Sequence, residues 1–458
     1  MSTLITEWNP DDEAFWEKTG KRIARRNLIW SIIAENIGFS VWLLWSVTAT
    51  RLPKVGFDYT TDQLFLLVAI PGLVGALIRF PYTFAVPKFG GRNWTIVSAL
   101  LLLIPTISLS VLVTRPDTPF WLMAVAAATA GLGGGNFASS MANISFFYPD
   151  KKKGLALGLN AAGGNIGVSN VQLLVPLLIG PGAVATAIGG YHTESGIYLQ
   201  NAGLMWIPLI LLSAGGAYFF MNNLASAKSN WKDQAAAARN KHTWIIAWLY
   251  VGTFGSFIGY SAALPLLLKM QFPAVTLELT FLGALIGSVA RPLGGYLADK
   301  IGGARITFCN FVVMGLASLG IIHFLNEKSY AGVVTMFMIM FVSTGIGNGS
   351  TFRMVPVLFR RDHLRAAQGR GEAARNEALI AARRQSAAVL GFTSAVGALG
   401  GFFIPRSFGA SIKATGGATT AVMYFFVFYL TCMGLTWWCY MRTRFLVNRI
   451  PSLAEADA

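Results

Sequence analysis

The feature that most constrains this chain is a series of twelve apolar stretches, each about twenty residues or longer, separated by polar turns. A hydrocarbon core about 30 Å thick takes roughly 20 residues of α-helix to cross. Within lipid the backbone must also satisfy its own hydrogen bonds, so the stretches are expected to be helical. They fall at about 28–50, 62–87, 94–114, 119–147, 154–180, 203–223, 243–268, 275–298, 303–325, 331–358, 386–411 and 418–441. Only 12% of residues are charged and 54% are hydrophobic, where a soluble domain carries roughly 25% charged residues. The expected fold class is an all-α polytopic membrane protein with twelve transmembrane helices.

Charge sets the orientation. Most Lys and Arg residues lie between spans on the side that would carry both termini, and the loop 180–202 has none. The positive-inside rule then places both termini in the cytoplasm of a cell-membrane protein. The net charge of +16 thus reports topology and gives no argument for nucleic acid. The N-terminal segment "MSTLITEWNPDDEAFWEKTGKRIARRN" shows no cleavable signal, so the first span is expected to be its own insertion signal. Phe15 and Trp16 beside Lys18, Lys21, Arg22, Arg25 and Arg26 allow two readings: an amphipathic surface helix or a plain basic anchor. Cys309, Cys432 and Cys439 fall in spans and show neither disulfide nor metal spacing.

The chain repeats itself. Arg79 is followed eleven residues later by Gly90-Gly91 and then Arg92; Arg291 is followed eleven residues later by Gly302-Gly303 and then Arg305. Gly131, Gly133 and Gly135 in the fourth span match Gly345, Gly347 and Gly349 in the tenth. Gly158, Gly164 and Gly167 in the fifth match Gly391, Gly397 and Gly400 in the eleventh. Glycines at such spacing let helix backbones approach closely, either for static packing or for sliding, and sliding is favoured for the fifth and eleventh spans. The expected organisation is a cytoplasmic segment 1–27, a six-helix bundle 28–223, a linker 224–242, a second bundle 243–441 and a cytoplasmic tail 442–458.

Arg79 and Arg291 occupy equivalent places in the two halves. An arginine at the bilayer centre costs at least ~2.5 kcal/mol, so such residues usually mark a pathway. One well-buried carboxylate is expected, Glu35, with Asp299 and Glu278 near span ends. Two cations against one acid leave a positive excess that an anionic substrate can fill. Arginine stays charged and offers a planar fork of donors. A planar monovalent anion fits that fork; sulfate or a carboxylate would satisfy the charge as well, and a purely structural role for the arginines is the competing reading.

Two six-helix halves joined by "ASAKSNWKDQAAAARNKH" (225–242) resemble the major facilitator superfamily. "KFGGRNW" (88–94) and "LADKIGGARI" (297–306) are similar to its cytoplasmic loop motif, whose acidic member survives only as Asp299. Longer stretches, "GGGNFASSMANISFFYP" (133–149), "LGLNAAGGNIGVSNVQLLVP" (157–176), "YVGTFGSFIGYSA" (250–262), "GFTSAVGALGGFFIP" (391–405) and "FDYTTDQLFLL" (57–67), resemble nitrate/nitrite porters of the NarK type. The resemblance implies that Arg79 and Arg291 bind the anion, that Phe137 and Phe254 sandwich it, and that Tyr250 and Asn165 add polar contacts. It places the family's glycine signature at Gly163, Gly164, Gly167, Gly397 and Gly400, and gating charges at Asp299 and Arg92. Two residues depart from the pattern: Glu35, where relatives are often apolar, and Arg353, where some have glutamine. Arg353 would line the vestibule or snorkel to the surface.

The resemblance implies exchange of nitrate inward for nitrite outward, with proton-coupled nitrate symport through Glu35 as the alternative. The implied substrates are nitrate and nitrite, the implied setting a lipid bilayer, and the expected state a monomer without cofactor or metal. No nucleophile–base pair, metal cluster or phosphate loop argues for an enzyme; His192, His242, His323 and His363 are scattered. The segment 359–385, rich in Ala, Arg and Glu, is expected to form a short surface helix between the tenth and eleventh spans; a sensor role for it is the remaining alternative from another class.

Overall fold

The computed structural model describes residues 3–192, 194, 196–227, 237–274 and 279–443. Glu278, residues 228–236 of the linker and residues 444–458 lie outside them. Among the described residues, twelve helices are long and apolar enough to cross a membrane. They are α1 (Glu13–Thr48), α2 (Thr61–Thr83), α3 (Gly91–Leu112), α4 (Phe120–Phe147), α5 (Lys151–Ile179), α6 (Asn201–Phe220), α7 (Lys241–Gln271), α8 (Thr280–Ile301), α9 (Gly303–Asn326), α10 (Tyr330–Ala366), α11 (Gly371–Thr415) and α12 (Thr419–Met441).

Local chemistry explains several ends. Thr60 and Gln63 form a reciprocal capping box at the start of α2, satisfying amide donors that the first turn leaves open. Asp12 accepts from the amides of Ala14 and Phe15 at the start of α1, and Ser329 accepts from Gly332 at the start of α10. The repeated Gly-Gly pairs share one cause. Gly90 (φ 85°) and Gly302 (φ 101°) make the turns from α2 to α3 and from α8 to α9 in a backbone region open chiefly to glycine. The second glycine of each pair packs where a side chain has no room: a Cβ on Gly91 would strike the Asn143 amide, and one on Gly303 would lie 2.6 Å from Met354 Cγ.

Two expectations change. The basic N-terminal stretch is neither a separate surface helix nor a loose anchor, because helix runs unbroken from Glu13 into the first span. Its aromatic residues find partners: Trp16 is buried beside Tyr148, Trp8 Nε1 donates to the Phe146 carbonyl at 3.1 Å, and Leu4–Ile5 (β1) pairs in parallel with Asn223–Leu224 (β2). The stretch thereby straps the end of α1 to the α4–α5 turn and the end of α6. The expected surface helix between the tenth and eleventh spans is likewise replaced by extensions of both. α10 continues to Ala366 and α11 begins at Gly371, with Gly369 and Gly371 at positive φ in the turn and His363 Nε2 bonded to Gln385 Oε1 at 2.6 Å.

The chain forms two compact units. Unit 1 comprises Met1–Lys228, Ile258–Ser288 and Gly401–Ala418; unit 2 comprises Ser229–Phe257, Val289–Gly400 and Thr419–Ala458. Unit 1 therefore takes in parts of α7, α8 and α11. There the α2 backbone crosses α11 at Gly72 and Gly401, where a Cβ on Gly72 would collide with the Gly401 backbone. Gln172 Nε2 donates to the Ser261 carbonyl at 2.6 Å, and Arg406 pairs with Asp62, joined by Lys413 at 3.8 Å.

Candidate functional site

In unit 1, α2 carries Arg79 as a fully buried side chain. Its Nε donates to the Gly134 carbonyl of α4 at 3.0 Å. Its guanidinium carbon lies 4.7 Å from the Phe137 ring centroid and 5.3 Å from that of Trp42. Three consecutive glycines on α4 allow this approach: a Cβ on Gly134 would meet Trp42 at 2.6 Å, and one on Gly135 would meet Tyr82 and Ile78 at 2.7 Å. Ring faces attract a guanidinium electrostatically without neutralising it, so the cation keeps its charge while losing water.

Glu35 on α1 is also fully buried. It accepts from the Ser140 hydroxyl and from Asn160 Nδ2 at 2.7 Å. Gly164 makes room for it, since a Cβ there would sit 2.5 Å from Glu35 Oε1. One turn on, Gly167 faces the α1 backbone at Asn36, and Ser40 Oγ donates to the Gly167 carbonyl at 2.8 Å. Asn165, between these glycines, is buried, and neither atom of its side-chain amide has a hydrogen-bond partner among the described residues. The same is true of Asn136, next to Phe137. Buried amides are nearly always bonded, so these two stand out.

In unit 2, α8 carries Arg291, buried at 5% exposure. Its Nη2 donates to the Tyr250 hydroxyl at 3.3 Å, and its guanidinium carbon lies 5.4 Å from the Phe352 ring centroid. Tyr250 stacks on Phe254, with centroids 5.3 Å apart and planes 16° from parallel. Phe254 stands in a π-helical turn, Val251–Gly255, of the kind that recurs at functional sites. Gly397 passes the Tyr250 ring, where a Cβ would lie 2.5 Å from Cδ1, and a Cβ on Gly400 would collide with the Gly255 backbone. Asn348 is a further buried amide without a partner among the described residues.

The loop charges are engaged as well. Asp299 pairs with Arg353, whose side chain is 46% exposed. Arg92 donates to the Tyr218 carbonyl at the end of α6 through Nε (3.0 Å) and Nη2 (2.8 Å), and its guanidinium lies 4.7 Å from the Tyr218 ring. A cation at a helix C-terminus meets the negative end of the dipole and the open carbonyls.

Within unit 1, then, the expected residues fall into two groups: Arg79 and Phe137 with Trp42, and Glu35 and Gly164 with Ser140 and Asn160. Within unit 2, Arg291, Tyr250, Phe254 and Gly397 form another with Phe352. Trp42, Phe352, Asn136 and Asn348 were missed. Phe352 had a signal: the repeat offset that relates α4 to α10 puts it one residue from the counterpart of Phe137.

Twelve spanning helices with a buried arginine on the second helix of each half describe a membrane transporter. The Major Facilitator Superfamily model matches residues 31–405, and the chain belongs to that superfamily, whose members are transporters and not enzymes. It is 44% identical over 452 residues to the nitrate/nitrite transporter NarU of Escherichia coli (strain K12), covering 96% of this chain and 97% of that protein. It is 36% identical over 456 residues to the probable nitrate/nitrite antiporter NarK2 of Thermus thermophilus, with the same coverage of 96% and 97%. Within the superfamily it is a member of the nitrate/nitrite porter family. A crystal structure of a bacterial homologue of the human lysosomal transporter Spinster, inward-facing and occupied, shares the fold at a TM-score of 0.62 and 14% identity, covering 90% of this chain and 95% of that one.

Proposed function

We propose that this protein exchanges nitrate for nitrite across the cell membrane by alternating access, nitrate entering and nitrite leaving, with both termini cytoplasmic and the monomer as the working unit. The observation that carries this reading is a charge imbalance. Among the described residues the buried arginines are Arg79, Arg291 and Arg442, and the buried acid is Glu35 alone. Arg442 lies at the end of α12 over Trp438; the buried cations of α2 and α8 are Arg79 and Arg291, two against one acid. The names of the relatives, a nitrate/nitrite transporter and a probable antiporter, support the choice of anion.

Both guanidiniums bind the anion through charge-assisted hydrogen bonds. Asn165 and Tyr250 add neutral donors, and Phe137 and Phe254 supply flat walls that suit a planar guest and exclude the height of a tetrahedral one. Gly167 and Gly400 let α5 and α11 move against their neighbours, while Asp299 and Arg92 hold the loop ends. An empty carrier would take two buried cations and one buried acid through its switch, and a net buried charge is costly. A bound anion offsets that cost in either direction, so exchange is favoured over net uptake.

The test is uptake of labelled nitrate into proteoliposomes. Uptake is expected with nitrite inside and not with empty vesicles. The second reading is nitrate–proton symport, favoured by the buried Glu35 with its Ser140 and Asn160 partners. Accumulation driven by a pH gradient without internal nitrite, lost in Glu35→Gln, would replace exchange with symport.

A further inference from the structure

Away from the buried arginines, the first turns of α1 line an open hollow of about 370 Å³ with Lys21, Arg22, Arg25 and Arg26, one carboxylate (Glu17), and Ile29 and Trp30. Arg22, Arg25, Arg26 and Ile29 follow the three- and four-residue spacing of one helix face. Four cations thus face one acid, and that acid is already shared between Lys21 at 3.3 Å and Lys152 at 3.4 Å. Arg26 is anchored: Nη2 donates to Asn222 Oδ1 at 2.8 Å, whereas its buried Nε has no partner among the described residues.

The wall of the hollow changes character along the helix. One turn beyond the arginines, Ile29 is 46% exposed. Trp30 stacks on Phe220 of α6, centroids 5.4 Å apart and planes 4° from parallel, and is seated against Gly216. Phe219, at 74% exposure, and Phe220 continue that apolar surface. A cationic hollow running directly into an exposed apolar strip matches a ligand with an anionic head and an acyl tail. A soluble phosphate would use only the first part.

We propose that this hollow binds the headgroup of an acidic phospholipid, with an acyl chain lying along Ile29 and the Trp30–Phe220 pair. Basic hollows at helix ends are a recurrent way to hold such headgroups. The bound lipid would clamp α1 to α6 beside the N-terminal strap. This assignment is independent of the transported ion.

The experiment is native mass spectrometry of the full-length protein, delipidated in detergent and titrated with phosphatidylglycerol or phosphatidylcholine. Wild type is expected to retain phosphatidylglycerol at least ~10-fold more strongly than phosphatidylcholine. The double variant Arg22→Gln/Arg25→Gln should lose that preference, Arg22→Lys/Arg25→Lys should keep it, and Glu17→Gln should strengthen it. The melting temperature of each lipid-free variant shows that it is folded; one that is not is replaced by the single Arg22→Gln. Equal retention of both lipids by wild type, or an undiminished preference in the glutamine variant, would overturn the proposal. So would displacement of phosphatidylglycerol by millimolar inorganic phosphate, which would make the hollow a site for a soluble anion.

Discussion

Each guanidinium is set by small residues around it. Arg79 reaches the Gly134 carbonyl because Gly134 and Gly135 leave space for Trp42 and Tyr82; Arg291 reaches Tyr250 because Gly397 leaves space for that ring. Gly397→Ala puts a methyl group 2.5 Å from Tyr250 Cδ1 and should push the hydroxyl away from Arg291. Nitrate binding measured on the purified variant is expected to weaken about tenfold, the equivalent of one hydrogen bond to a charged group, with the fold retained by circular dichroism. The Asp299–Arg353 pair should behave differently. Its side chains are 52% and 46% exposed, and exposed pairs contribute about 0–1 kcal/mol. Asp299→Asn should therefore leave thermal stability within about 1 kcal/mol of wild type, and any effect should appear in exchange rate. At this scale the sequence was informative where burial is expensive: a cation in an apolar run stands out, and so does Glu35. Trp42 and Phe352 did not stand out, because an aromatic residue in an apolar helix has the same signature whether it packs a core or faces a guanidinium.

Helix pairs are joined by glycine contacts that also carry hydrogen bonds. α1 and α5 meet through Asn36 Nδ2 to the Gly163 carbonyl at 2.8 Å, Ser40 Oγ to the Gly167 carbonyl at 2.8 Å, and Asn170 Nδ2 to Asn36 Oδ1 at 2.9 Å. α7 and α11 meet with only Gly255 and Gly400 between their backbones. Gly400→Ala should cost about 1–3 kcal/mol through overpacking, read as a lowered melting temperature in detergent. An unchanged melting temperature would mean that α7 and α11 are free to separate there. The spans and the glycine periodicity were legible because length, hydropathy and spacing are properties of the chain itself. The π-helical turn at Val251–Gly255 and the joining of the N-terminal segment to α1 were not. Both depend on partners distant in sequence, such as Gly400 for the turn and Tyr148 and Asn223 for the strap.

At the scale of the molecule, α2 and α11 are tied together within unit 1 at the helix ends opposite the strap. Asp62 at the start of α2 holds Arg406 and Lys413 of α11, Phe65 lies 6.5 Å from Phe408 between ring centroids, and Gly72 and Gly401 bring the two backbones together. Asp62→Asn removes the charge that holds the two cations. Labelling of a Ser261→Cys reporter by a membrane-impermeant thiol reagent should then rise about fivefold, equivalent to about 1 kcal/mol for a partly exposed pair. Unchanged labelling would show that the backbone crossing alone keeps these ends shut. The repeat of two halves was visible in the sequence as matched arginines and glycine pairs. The assignment of parts of α7, α8 and α11 to unit 1 was not, since it depends on packing that no local pattern encodes.

The most direct measurement is equilibrium binding of labelled nitrate to wild type, Arg79→Lys and Arg291→Lys, in competition with nitrite, chlorate, sulfate and phosphate. Lysine keeps the charge and removes the planar fork. Each variant is predicted to bind roughly 10–100-fold more weakly, and wild-type binding is predicted to yield to nitrite and resist sulfate and phosphate. Wild-type affinity in either lysine variant, or sulfate competing as well as nitrite, would contradict a flat anion held by two guanidiniums.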